Sequence, residues 1–241
     1  MFGRAHRSDL CEQRGFALRG AGFVSTNRAA DGIMKAFCDR EIAEGKREMK
    51  TISISGAVAA GKTTLLGNLL SRLGSRAACH EERPQDNPFI REYYADSKRW
   101  SFHSQMTFLA LYFDDGAVPE GTEFFFYDRC LIENLVLARY RLGEGDLTQT
   151  EYAVIEKMAR GIERLMPPID KYVYLRCPVP LLVERLRERG RDYEGELGVA
   201  YATKLNALYE EWLLTLPPEC VMIVDEETGV DLDAVLRFIG A

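Results

Sequence analysis

Hydrophobic and polar positions change period several times along this chain, and those changes mark out its elements. Residues 51–55, Thr-Ile-Ser-Ile-Ser, form a short β-rich run that ends at Gly56. Directly afterwards Leu65, Leu66, Leu69, Leu70 and Leu73 recur at the three- and four-residue spacing of one helix face. Further strand-like runs occupy residues 77–80, 124–127, 171–175 and 221–224, each separated from the last by a helical pattern. Strand alternating with helix predicts an α/β fold: a parallel sheet of about five strands flanked by helices. Helix signals fit between the strands. Thr148 with Glu151 reads as a capping box, Tyr152, Ile155, Met158, Ile162 and Leu165 as one apolar face, and Pro167-Pro168 as its stop.

The first 48 residues lack this periodicity, and Met49 immediately precedes the first strand pattern. They are expected to lie outside the fold, leaving 49–241 as one domain. An organelle-targeting peptide would be poor in acids, whereas this segment carries Asp9, Glu12, Asp31, Asp39, Glu41, Glu44 and Glu48. An upstream extension that is not natively translated fits better.

Charge narrows the partners. The chain has 31 basic and 37 acidic residues, a net charge of -6, with no uninterrupted Lys/Arg block, so a nucleic-acid polymer is not expected as partner. No apolar run approaches the roughly 18 residues of a membrane span. Cys11, Cys38, Cys79, Cys130, Cys177 and Cys220 are scattered without a CxxC pair, which suggests reduced thiols in a cytoplasmic setting.

The strongest motif is Gly56-Ala57-Val58-Ala59-Ala60-Gly61-Lys62-Thr63, followed by Thr64. It satisfies GxxxxGK[ST] between the predicted strand and the leucine-striped helix, the context a P-loop requires. Backbone N–H groups at a helix start cradle phosphates, Lys62 reaches the β- and γ-phosphates of ATP, and the Thr63 hydroxyl joins the Mg²⁺ shell.

Four further constellations bear on the acceptor. Glu81-Glu82 stands where the second strand ends, at the crevice in which open α/β sheets bind ligands, and a carboxylate there can take a hydroxyl proton. Gln105 lies on a helix-like stretch with Trp100, Phe102 and Phe108; its amide offers a donor and an acceptor to a base edge, and the aromatics can wall a flat slot. Asp128-Arg129 follows the aromatic strand, Asp128 suited to a Mg²⁺ water and Arg129 to the transferring group. Arg185 and Arg189, one helical turn apart, precede Gly190-Arg191, as in an arginine-rich lid that closes over phosphates.

Taken in order, these motifs resemble the deoxynucleoside kinase family, most closely its bacterial deoxyadenosine/deoxyguanosine kinase branch, over about residues 50 to 215. The resemblance implies a P-loop kinase fold and transfer of the γ-phosphoryl of ATP, with Mg²⁺, to the 5'-hydroxyl of a 2'-deoxynucleoside, with purines expected first. It makes Glu82, rather than Glu81, the general base by its spacing to Asn87-Pro88. It gives Gln105 the base, Tyr94 and Glu194 the sugar 3'-hydroxyl, and Arg185, Arg189 and Arg191 the lid. Asn134 is expected to add a hydrogen bond deeper in the base slot. A homodimer is implied as well.

The chain also departs from the family pattern. Cys130 stands where serine is usual. Ala138 replaces a stacking aromatic of animal members, and Tyr112 and Asn134 replace an Arg/Asp pair that governs base choice there, so Phe102, Phe108 or Tyr112 is left to supply the stacking surface. Two other readings stand beside this one, a nucleoside monophosphate kinase of the thymidylate kinase kind and a non-catalytic nucleotide-binding regulator.

Overall fold

The computed structural model describes residues 49–113, 118–191, 198–226 and 229–241. Residues 1–48 and Glu194 therefore lie outside the described residues. Five strands, β1 (Lys50–Gly56), β2 (Ala77–His80), β3 (Phe124–Asp128), β4 (Lys171–Arg176) and β5 (Val221–Asp225), form one sheet in the order β2-β3-β1-β4-β5, every neighbouring pair parallel. All five strands fall where the apolar runs predicted them, one or two residues longer at most.

Eight α-helices accompany the sheet among the described residues: α1 (Lys62–Leu73), α2 (Ile90–Ala95), α3 (Ser97–Leu111), α4 (Glu133–Gly143), α5 (Gln149–Glu163), α6 (Val179–Arg189), α7 (Val199–Leu213) and α8 (Leu232–Ile239). Helix α1 packs on β1, β2 and β3 with α8 beside it, while α4 packs with α3, α5 and α7, and α6 with α7. The main core joins Ile52, Ile54, Phe126, Val173 and Leu175 of the sheet to Leu65 and Leu69 of α1, all essentially without solvent contact. The leucine stripe thus buries the face that its spacing predicted. A second core lies among the helices, around Leu109, Leu135, Ala138, Ile155, Ala159 and Ile162.

Helix α5 begins with the expected box: Thr148 Oγ1 accepts from the Glu151 N–H, and the Glu151 carboxylate accepts from the Thr148 N–H at 2.7 Å. Its buried face differs from expectation. Ala159, one residue further along, takes the inward place assigned to Met158, and Met158 (45% exposed), Leu165 (54%) and Val154 (43%) point outward. Close packing within the helical core, where α5 meets α3 and α4, favours the small Ala159 side chain there.

Strand β1 also has a polar side that the sequence pattern showed without explaining. Thr51, Ser53 and Ser55 alternate with the two isoleucines and are as fully buried as they are. A buried hydroxyl requires a partner, and the partners of Ser53 and Ser55 belong to the site.

Candidate active site

The carboxyl ends of the strands converge on one cavity of about 490 Å³. Its floor is the P-loop, whose conformation depends on particular backbone angles. Gly56 leaves β1 at φ 145°, and a Cβ there would lie 2.8 Å from the Leu175 carbonyl oxygen of β4, so only glycine fits. Gly61, at φ 95°, caps the start of α1. Helix α1 thereby directs its N-terminal N–H groups into the cavity.

Lys62 folds back over this turn, and its Nζ donates to the Gly56 and Ala57 carbonyl oxygens at 3.1 and 3.0 Å. Burial, aided by the nearby Arg129 cation, lowers its pKa to about 8. Thr63 Oγ1 donates to Asp128 Oδ2 at 3.0 Å, while Asp128 Oδ1 is buried with no hydrogen-bond partner. The Thr63 hydroxyl and the Asp128 carboxylate, one of whose oxygens is unsatisfied, are hard donors of the kind Mg²⁺ takes together with phosphate oxygens and water. These residues fit that ion.

Opposite the P-loop stands Glu82, which lines the cavity with about a quarter (24%) of its side chain open. Glu81 does not line it and instead accepts a weak contact from Cys79 Sγ at 3.9 Å. Burial raises the Glu82 pKa, but the Arg129 and Lys62 cations outweigh it, and the carboxyl lies below its ordinary value. Arg129 is the hub. Its Nε lies 3.2 Å from Glu82 Oε1, its Nη1 lies 3.6 Å from Glu133 Oε2, and Nη1 donates to the Tyr209 hydroxyl. The Arg129 backbone is left-handed, at φ 75°, a conformation costly for a residue with a side chain. The Tyr112 hydroxyl helps to hold it by donating to the Arg129 carbonyl at 2.8 Å. Arg129 pairs with these carboxylates rather than with the adjacent Asp128.

The acceptor half of the cavity is lined by Tyr93, Tyr94, Gln105, Phe108 and Tyr201. Gln105 lines this part of the cavity and is buried, and its Oε1 has no hydrogen-bond partner. Of the aromatics weighed for stacking, Phe108 alone reaches the wall. Trp100 stacks on Phe89 at 5.4 Å, Phe102 packs against the helical core, and Tyr112 stacks on His80 at 4.4 Å. Asn134 does not reach the cavity either: it is buried at the start of α4, where its amide donates to the Leu131 carbonyl. Cys130 is buried beside Glu133, and burial pushes its thiol well up, so it stays protonated.

Arg185, Arg189 and Arg191 line the same cavity, and Gly190, at φ 55°, ends α6 between the last two. Arg185 Nη2 bonds Glu226 Oε2 at 2.8 Å across the mouth of the P-loop. Glu226 and Glu133 escaped the sequence reading. Glu226 follows the carboxyl end of β5, so the rule that such ends line the crevice could have flagged it. Glu133 shows no local signal beyond its place four residues after Arg129.

This is a phosphate cradle, a carboxylate facing it, an arginine arm and a slot with a waiting amide. Residues 52–235 match the family described as Deoxynucleoside kinase. The chain belongs to that family. It is 29% identical over 166 residues to the deoxyadenosine/deoxycytidine kinase of Bacillus subtilis, covering 67% of this chain and 76% of the relative. It is 26% identical over 187 residues to the deoxyguanosine kinase of the same organism, covering 73% and 86%. The solved structure of deoxyadenosine kinase from M. mycoides with bound dATP superposes with a TM-score of 0.67 at 25% identity, covering 80% of this chain and all of that one. The kinase described here accordingly carries out ATP- and Mg²⁺-dependent phosphorylation of a deoxynucleoside on a P-loop kinase fold.

Proposed function

We propose that this deoxynucleoside kinase acts first on purine 2'-deoxynucleosides, deoxyadenosine ahead of the others, with Glu82 as general base. The observation that carries the reading is the shared cavity of Lys62, Glu82, Gln105 and Arg129, in which the Gln105 acceptor oxygen is buried without a partner. An adenine N6 amine can satisfy that oxygen while N7 accepts from the Gln105 amide, whereas thymine offers no amine. Phe108 supplies an apolar wall for the base. The Bacillus relatives are named deoxyadenosine/deoxycytidine kinase and deoxyguanosine kinase, so both purine deoxynucleosides, and deoxycytidine beside deoxyadenosine, stand among the acceptors their names give.

In this reading Glu82, kept ionised by Arg129 and Lys62, accepts the 5'-hydroxyl proton as the oxygen attacks the γ-phosphoryl. Lys62 exchanges the Gly56 and Ala57 carbonyls for phosphate oxygens, and residues 56–64 wrap the phosphates with their N–H groups. Thr63 and Asp128 would hold Mg²⁺, which when bound would offset phosphate charge. Arg185, Arg189 and Arg191 form the lid that stabilises charge on the transferring group; positioning and electrostatics supply most of the acceleration. Tyr94, with Glu194 beyond the described residues, binds the 3'-hydroxyl and crowds out a 2'-hydroxyl.

The kinase is further proposed to be a cytoplasmic homodimer. Val154, Met158 and Leu165 fall along one outward stripe of α5 and the turn after it, apolar surface of the kind a second copy covers. Cys79, Cys130, Cys177 and Cys220 are thiols, in keeping with a reducing compartment. No helix among the described residues is long and apolar enough to cross a membrane.

The test is kcat/KM for deoxyadenosine, deoxyguanosine, deoxycytidine, thymidine and adenosine under one set of conditions. Deoxyadenosine is expected to lead. A preference for thymidine or deoxycytidine would overturn the base assignment, and equal use of adenosine would overturn the sugar assignment.

A further inference from the structure

We infer that Glu133 is a positioning residue of the transfer reaction, fixing the Arg129 guanidinium against Glu82 and tying it to the strand that carries the P-loop. The inference rests on the reading of Arg129 and Glu82 as groups that face the reacting hydroxyl.

Glu133 is the first residue of α4 and has no solvent exposure. Its two carboxylate oxygens are used differently. Oε1 accepts three hydrogen bonds, from Ser53 Oγ at 3.1 Å, Ser55 Oγ at 2.8 Å and the Cys130 N–H at 2.9 Å. Oε2 makes no hydrogen bond and faces Arg129 Nη1 at 3.6 Å. One oxygen is therefore anchored to β1 immediately before the P-loop, and the other is left for the guanidinium.

Packing does not require a charge here. The three donors on Oε1 would be satisfied equally by an amide oxygen, and taking a carboxylate out of water is costly unless a cation answers it. The cation that answers it is Arg129, which has almost no exposure itself and lies between two carboxylates, Glu82 toward the cavity and Glu133 behind. If Glu133 carried no charge, Glu82 would be the nearest anion left to Arg129. The guanidinium would then close onto the base and occupy the lone pairs that must receive the 5'-hydroxyl proton. Burial raises the Glu133 pKa against the pull of the Arg129 cation; in its ionised form Glu133 shares the attraction with Glu82, and Ser53 and Ser55 hold that sharing in register with the phosphate cradle.

The test compares Glu133→Gln, Glu133→Asp, Arg129→Lys and the double variant Glu133→Gln/Arg129→Lys. Glu133→Gln keeps an acceptor for Ser53, Ser55 and the Cys130 N–H but removes the charge, so kcat is expected to fall about tenfold or more while KM for deoxyadenosine and for ATP changes less than about threefold. Glu133→Asp keeps the charge and is expected to recover most of that loss. Since Glu133 acts through Arg129, the double variant is expected to be no slower than the slower single one. Wild-type kcat in Glu133→Gln beside an impaired Arg129→Lys would overturn this inference alone; full activity in Arg129→Lys would remove the reading on which it rests. Additive losses in the double variant, or an Asp variant as slow as the Gln variant, would also overturn it. If Glu133→Gln does not fold, the Ser53→Ala/Ser55→Ala variant, which releases Oε1 from β1, takes its place: kcat is expected to fall with KM nearly unchanged, and wild-type kcat would overturn the inference.

Discussion

Replacing Glu82 by glutamine keeps the shape of the side chain while removing both the proton acceptor and one of the two anions paired with Arg129. Because the Arg129 Nη1 also faces Glu133 at 3.6 Å and donates to Tyr209, the cation is not left without partners, and the fold is expected to survive. The chemical step is not. General base catalysis contributes about 10²–10⁴ in rate, so kcat should fall by about two to four orders of magnitude, or roughly 3–5 kcal/mol in the barrier. Deoxyadenosine should still bind, because Gln105, Tyr94 and Phe108 are untouched. Steady-state kinetics, calorimetric titration of the nucleoside and a thermal melt separate these effects. The pH profile adds an independent check. The Glu82 pKa lies below its ordinary 4.5, so Glu82 is ionised above that value and is protonated only as pH falls through the lowered pKa. The acid limb of kcat/KM for deoxyadenosine should accordingly lie below 4.5 in the wild type and disappear in Glu82→Gln. A Glu82→Gln enzyme with kcat within about tenfold of wild type would refute the assignment. So would a Glu81→Gln enzyme that is the more damaged of the two, since Glu81 does not line the cavity.

Other outcomes follow from the same geometry. With the Lys62 pKa lowered to about 8 in the nucleotide-free chain, its charge is present below that value and lost above it, so kcat/KM for ATP should fall as pH rises through 8; a flat profile to pH 9.5 would contradict this. A chain beginning at Met49 should match the full chain in melting temperature and kcat, because β1 starts at Lys50 and the site residues all follow it; a large loss in either would mean that residues 1–48 pack on the domain. Met158→Glu places a charge in the outward stripe of α5, and should shift a dimer toward monomer in sedimentation velocity without lowering the melting temperature by more than a few degrees, since the side chain is about half exposed. A variant that sediments like the wild type would remove α5 from the interface.

The local pattern alone determined the strands, the P-loop between β1 and α1, and the capping box of α5. Each depends on neighbours within a few residues: alternation on a pleat, a glycine where φ is positive, an acid three positions after a threonine. The same reasoning pointed to the strand ends at Glu81-Glu82 and Asp128-Arg129, because a parallel sheet brings its carboxyl ends to one edge, while the choice of Glu82 over Glu81 came from the family resemblance. Contacts between distant segments were decided only in three dimensions. Periodicity shows that α5 has an apolar side but cannot set its rotation to within one residue, and packing against α3 and α4 put Ala159 inside and Met158 out. Phe102, Phe108 and Tyr112 looked equivalent as base-stacking aromatics until the turns of α3 separated them, Phe108 to the cavity wall and Tyr112 to the Arg129 carbonyl. The polar residues Ser53 and Ser55 were visible from the start. Their purpose was not, because the partner that makes two buried hydroxyls affordable on a central strand is Glu133, some eighty residues away. A hydrogen bond acts over about 3 Å, and which groups come within that reach is settled by how helices and strands pack, which no window along the chain contains.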